Sequence, residues 1–268
     1  MLNEKIYFNE NDSTVYLETY VYQNPKLPPR DAILIIPGGG YTHVCIDREG
    51  ECTALAYATA NVVPFVLFYN TDSARYPSHL LDAARAMKYI KDNAEKYNVN
   101  PDRIFALGYS AGGHLCGSLA VHHRFAEDTL GYNENEARPR GVVLCYPVVS
   151  AVQPTHRGSF AALLGKDLSE YTDEEKKLLS IELNVNEKTP PAFIWHTSQD
   201  YGVPIYGSLE LARAYHRLKM PVELHVFPYD GHGSGLCTEI TSNGSESHVR
   251  PENAVWLENS VRWMKSIN

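Results

Sequence analysis

RIFALGYSAGGH (residues 103–114) joins an apolar run to a serine set between two glycines, Gly108 and Gly112. A small-residue-rich stretch follows as far as His122. The run predicts a buried strand over 103–107 and the stretch after Ser110 a helix, so Ser110 falls on a sharp strand-to-helix turn. Glycine at 108 and 112 removes side chains that would collide as the chain reverses, and Gly113 lets helix and sheet approach. Such a turn lifts the serine hydroxyl above the sheet, over the helix N-terminus. It also aims the amide of Ala111 at the place where a negative oxygen could develop. Alone, Gly-x-Ser-x-Gly recurs by chance in many chains. Its position between a buried strand and a helix is what gives it weight.

The flanking sequence repeats that strand–helix alternation. Runs at 5–8 and 15–22 are rich in β-branched and aromatic residues and predict an antiparallel pair at a sheet edge. Apolar runs at 32–36, 62–69, 103–107 and 141–146, followed by 191–196 and 222–227, suit strands covered on both faces. Apolar stripes at helical spacing lie over 80–97, 204–218 and 253–267. The expected fold class is therefore α/β: a mostly parallel central sheet of about eight strands with helices on both faces. Residues 1–268 are expected to form a single domain. One stretch, around 149–189, has no strand pattern, and its Thr172-Asp173-Glu174-Glu175 has the spacing of a capping box opening a helix through Leu179. An insertion after a strand's C-terminal end sits where open α/β sheets bind ligands, so it is expected to form a small cap.

Composition narrows the partners. The chain of 268 residues is 44% hydrophobic and 21% charged, an ordinary globular balance. A net charge of −8 disfavours nucleic acid and anionic membranes, both of which need a positive footprint. MLNEKIYFNENDSTVYLETY (1–20) has no basic start before an apolar core, and no apolar run reaches the length of a membrane span. The five cysteines, Cys45, Cys52, Cys116, Cys145 and Cys237, are odd in number and scattered through apolar segments, unlike a disulfide framework. They read as small buried hydrophobes in a reducing compartment, and the expected location is cytoplasmic. Homo-oligomerisation is left open.

A serine hydroxyl is a poor nucleophile until an imidazole takes its proton. Of eleven histidines, His232 stands best placed, in a Gly-flanked loop (YDGHG, 229–233) beyond the last predicted strand. His114, His122 and His123 ride the helix after Ser110, and His196 ends a strand, where polar groups commonly satisfy backbone. The acid that orients the base is expected at Asp200, after the 191–196 strand, although capping the next helix is a competing use. Asp230, two residues before His232, is a rival, but too near in sequence to swing behind the ring. The order Ser110, Asp200, His232 is the one this strand–turn–helix pattern expects. Pro37-Gly38-Gly39-Gly40-Tyr41 directly follows the 32–36 strand and bares backbone amides, so Gly39 and Gly40 are candidate oxyanion donors beside Ala111. A phosphate-binding loop would need a lysine paired with a hydroxyl after the glycines, or the dinucleotide glycine spacing, and neither pattern is there.

With those placements made, PGGGY (37–41), REGE (48–51), RYP (75–77), GYSAGGH (108–114), YPV (146–148), QD..VP (199–204) and DGHG (230–233) together resemble the α/β-hydrolase superfamily of esterases and lipases. The likeness is closest to the small bacterial carbohydrate-esterase group related to acetyl xylan esterases. It departs from many relatives in carrying Pro37 where they have a histidine before the glycines. The resemblance implies a serine carboxylesterase that works through an acyl-enzyme, without metal or organic cofactor. Its implied substrate is a small-molecule ester with a short acyl group, acetyl first, on a sugar. Tyr41, Tyr109, Tyr146 and Tyr201 fall beside the sheet-top motifs and are candidate substrate-binding residues. An amidase or peptidase on the same fold, and a catalytically silent small-molecule binder, remain alternatives.

Overall fold

The computed structural model describes every residue except Met1, Glu10, Asn11, Pro25, Asp72, Ser73 and Asn268. Among the described residues, eight strands form one sheet: β1 (Lys5–Asn9), β2 (Asp12–Thr19), β3 (Arg30–Ile36), β4 (Val63–Phe68), β5 (Val99–Tyr109), β6 (Val142–Cys145), β7 (Ala192–Thr197) and β8 (Val222–Phe227). Their spatial order is β1-β2-β4-β3-β5-β6-β7-β8. The β1–β2 and β2–β4 pairs are antiparallel and every other neighbour is parallel. From β3 the chain steps to β4 on one side and later returns to β5 on the other. That reversal leaves a crevice above the carboxyl ends of β3 and β5, the usual ligand position in an open α/β sheet.

The helices are α1 (Glu51–Thr59), α2 (Ser78–Asp92), α3 (Ala94–Tyr97), α4 (Ser110–Leu130), α5 (Arg157–Leu164), α6 (Asp173–Leu179), α7 (Ile181–Asn184), α8 (Tyr206–Arg217), α9 (Pro251–Ala254) and α10 (Trp256–Ser266). Alternation along β3 sorts them to two faces. Ala32, Leu34 and Ile36 pack with Leu80 and Met87 of α2, Leu115 of α4 and Leu211 of α8. Ile33 and Ile35 pack with Tyr57 of α1 and with Trp256 and Met264 of α10. Each fully buried Leu or Ile stabilises the fold by about 1.5–3 kcal/mol. Both faces are therefore needed, which is why residues 32–36 of β3 are an unbroken apolar run.

Among the boundaries that differ from the sequence pattern, three stand out. The helix expected over 80–97 breaks at Asn93, whose side-chain amide donates to the Tyr89 carbonyl at 2.8 Å and competes for the ladder. The helix after Ser110 runs on to Leu130, with non-helical angles at His122. The strand expected over 15–22 is Asp12–Thr19, because beyond Thr19 the backbone bonds to Pro64 and Leu2 instead. Residues 149–189, expected as a cap, carry α5, α6 and α7 between β6 and β7. The capping box is formed: Thr172 accepts from the Glu175 amide and Glu175 from the Thr172 amide. Phe160, Leu163, Tyr171 and Leu179 are buried in the same apolar cluster as α2 and α4, so the segment is seated firmly on the body.

Candidate active site

Ser110 opens α4 directly from β5, with φ +52°, a value that costs a non-glycine residue about 1–3 kcal/mol. Close packing imposes the turn. A Cβ on Gly112 would lie 2.2 Å from the Ile36 carbonyl oxygen, so only glycine lets the first turn of α4 rest on the end of β3. Because β3, β5, β6, β7 and β8 are consecutive parallel neighbours in the region of Ser110, the loops leaving their carboxyl ends stand side by side. Those loops carry Pro37–Gly40, Ser110, Tyr146, Asp200 and His232.

Three of them meet. His232 Nε2 is 2.7 Å from Ser110 Oγ, and His232 Nδ1 is 2.7 Å from Asp200 Oδ2. Asp200 Oδ1 accepts from the amides of Gly202 (3.0 Å) and Val203 (2.8 Å). The two uses considered for Asp200 are thus combined: one oxygen holds the turn before α8 and the other faces the imidazole. Burial would raise the Asp200 carboxyl, but the His196 and His232 rings and the Val203 amide together hold it well below the usual carboxylate range. His196 is fully buried, bonded to Ser208 and the Val203 carbonyl, with Nε2 3.3 Å from Asp200 Oδ2. Asp230, the rival acid, instead accepts from His248 at 2.8 Å and from the Gly231 amide. His114 is packed between the Tyr41 hydroxyl (2.7 Å) and the Leu179 carbonyl (2.8 Å), and burial pushes its pKa down to about 4.

The serine opens onto a cavity of about 330 Å³, walled by Gly39, Gly40, Gly202 and Gly233 and by polar side chains of Thr42, His43, Arg48 and His156. The Gly38 amide is already taken by Glu49 (2.7 Å), whereas Gly39 and Gly40 face the cavity and Ala111 follows Ser110 in the first turn of α4. Gly39 has φ +121°, and a Cβ there would lie 2.1 Å from the His43 carbonyl oxygen. Gly39→Ala is therefore expected to lower Tm by roughly 5 °C in a calorimetric scan. An unchanged Tm would mean that the loop yields to the methyl. A larger cavity, about 710 Å³, lies at the opposite end of β5 around Lys91, Arg103 and Arg138, away from the serine.

The four tyrosines do not line the serine cavity, which corrects the expectation from their position beside the motifs. Tyr41 is buried against His114, and Tyr109 is buried with its hydroxyl bonded to Thr53. Tyr146 is buried too, its hydroxyl donating to Glu49 and its ring edge-on to His232. Tyr201 is 87% exposed. Sequence reasoning missed Thr42, His43, Arg48 and His156. Their signal was available for two of them, since Thr42 and His43 directly follow the glycine loop and share its cavity.

The BD-FAE family model matches residues 17–215. The chain belongs to the BD-FAE alpha/beta hydrolase family. It is 42% identical over 220 residues to an endo-1,4-beta-xylanase B of Butyrivibrio fibrisolvens, covering 80% of this chain and 34% of that protein. It is 27% identical over 249 residues to an acetylxylan esterase of Xylanibacter ruminicola, covering 91% of this chain and 47% of the relative. The chain thus spans between about a third and a half of these two curated relatives. Among solved structures it superposes on an acetyl ester-xyloside bifunctional hydrolase from Caldicellulosiruptor lactoaceticus with TM-score 0.82 and 33% identity, over 98% of this chain and 96% of that one. Among the described residues, no helix is long and apolar enough to cross a membrane.

Proposed function

We propose that this BD-FAE family member is a serine carboxylesterase that removes short acyl groups, acetyl foremost, from a hydroxylated small molecule such as a sugar. The observation that carries this reading is the unbroken hydrogen-bonded chain from Ser110 through His232 to Asp200, built from three separate loops. His232 Nε2 takes the Ser110 proton as Oγ attacks the ester carbonyl, and Asp200 holds the Nδ1–H tautomer and stabilises the imidazolium. The carbonyl oxygen becomes negative against the amides of Ala111 and of Gly39 or Gly40, each donor worth about 10²–10³ in rate. His232 then returns the proton to the departing alcohol, leaving an acyl-serine. Water attacks that ester with His232 as base, and the proton goes back to Ser110 as the carboxylic acid leaves. Each step uses groups of this chain, the substrate and water alone.

The cavity supports the choice of substrate. At about 330 Å³ and with glycine walls it suits a small acyl group, while Thr42, His43, Arg48 and His156 offer hydrogen bonds to a polar alcohol portion. His156 Nδ1 accepts from the Ser159 amide, which puts the ring proton on Nε2 as a donor. Segment 149–189 contributes His156 to the lining of the serine cavity, which supports its reading as a cap. The names of the xylan-linked relatives point the same way. The free thiols of Cys45, Cys116, Cys145 and Cys237, all buried, support a reducing compartment as the working location.

Two measurements test the reading. A serine-directed fluorophosphonate is expected to add to Ser110 alone, located by peptide mass spectrometry. Across p-nitrophenyl acetate, butyrate and octanoate, kcat/KM is expected to fall with chain length. A preference for octanoate would overturn the short-acyl assignment, and faster cleavage of acetanilide than of the acetate ester would favour the amidase instead.

A further inference from the structure

One buried carboxylate is not used by the reaction described above. Glu49, on the π-helical turn Ile46–Gly50, is 4% exposed, yet its partners are a backbone amide and a phenol. Oε2 accepts from the Gly38 amide at 2.7 Å and Oε1 from the Tyr146 hydroxyl at 2.8 Å. The Tyr146 oxygen in turn accepts from the Gly235 amide at 2.9 Å, three residues beyond His232. The Tyr146 ring stands edge-on to the His232 ring, 5.0 Å between centroids. On the other side, a Cβ built on Gly38 would lie 2.8 Å from Glu49 Oε2 and 2.9 Å from the Ser110 Cβ, so Gly38 is held between carboxylate and serine. The turn is braced against the same loop, since the Cys45 amide donates to the Gly38 carbonyl and the Glu49 amide to the Cys45 carbonyl.

The geometry points to Glu49 as a positioning residue that ties the glycine loop to the histidine loop through Tyr146, fixing the oxyanion donors and the base relative to Ser110. This rests on the esterase reading above. The chemistry of the contacts requires a carboxylate. Both oxygens receive a donor, whereas an amide offers one acceptor and places an NH₂ against the other donor. Burial pushes the Glu49 carboxyl up, opposed by the Gly38 and Tyr146 hydrogen bonds and by the nearby His232. A buried acid is costly to keep, and here that cost is offset by the two donors it satisfies, one on each loop. Loss of the link lets donors and base drift by fractions of an ångström. That displacement affects the transition state, where donor distance matters most, more than ground-state binding.

Glu49→Gln is expected to lower kcat on p-nitrophenyl acetate by about 10- to 100-fold while KM stays within about threefold. Tyr146→Phe keeps the ring against His232 and removes only the hydroxyl, and should lower kcat less, again without raising KM. Because both changes cut one link, the double variant is expected to be no slower than Glu49→Gln alone. Unchanged kcat in folded Glu49→Gln, a rise in KM in place of the kcat loss, or losses that multiply in the double variant would each overturn the proposal. If Glu49→Gln does not fold, Tyr146→Phe decides: kcat equal to wild type sinks it. Wild-type turnover of the same ester separates the two readings. Its absence would sink the esterase assignment, whereas its presence with an indifferent Glu49→Gln sinks only the positioning role.

Discussion

Ser110→Ala is expected to lower kcat on p-nitrophenyl acetate by about 10⁴-fold or more, leaving only what bound amides can do without a nucleophile. The hydroxyl is the atom His232 Nε2 faces at 2.7 Å, and alanine leaves that imidazole with no proton to take. Folding should be spared. Ser110 is buried by its surroundings, not by its own side chain, and the turn is imposed by the contacts of Gly108 and Gly112. Ser110→Gly supplies the control, because glycine adopts φ +52° without strain and should give a Tm at or above that of the alanine variant. Both variants should also resist the fluorophosphonate. Retention of more than about 1% of the ester turnover by purified Ser110→Ala would remove Ser110 from the reaction.

How far the sequence could be read depended on how local each cause was. The strand–turn–helix around Ser110 was legible because apolar run, glycines and small-residue helix are contiguous. The capping box at Thr172 was legible for the same reason. The sheet itself followed from continuous apolar runs, which need cover on both faces, and each expected strand has its counterpart, the last with its ends unchanged and the others with shifted ends. The tyrosines were not legible. Tyr41 and Tyr146 sit at φ +62° and +35°, so the backbone at each turns the side chain into the body, and no periodicity encodes that. Glu49 carries no signal along the chain beyond its place in REGE, since its partners, Gly38 and Tyr146, lie 11 and 97 positions away. Asp200 and Asp230 looked like alternatives along the chain. In space they serve different histidines, His232 and His248.

That division makes Asp200→Asn the most informative single substitution after the serine, with an expected fall in kcat of about 10⁴-fold. The reason is geometric. Oδ1 accepts from two backbone amides, Gly202 and Val203, so an asparagine must place its carbonyl oxygen there. Its NH₂ then occupies the Oδ2 position, 2.7 Å from His232 Nδ1. A donor at that point forces Nδ1 to accept, which moves the ring proton to Nε2 and removes the lone pair that would take the proton of Ser110. The same NH₂ faces His196 Nε2, whose proton already points between Val203 and Asp200, so some stability is lost as well. The wild-type carboxyl is held below its unfolded value of about 3.9. Its ionised form therefore contributes stability above that pH and loses it only as pH falls through the depressed folded value, so the comparison is clean at pH 6–8. Asp230→Asn, which disturbs a pair with His248, is expected to keep most of the turnover. If Asp200→Asn remains active while Asp230→Asn is silent, the acid has been assigned to the wrong loop, and the imidazole at 232 must be oriented from the side of its own turn.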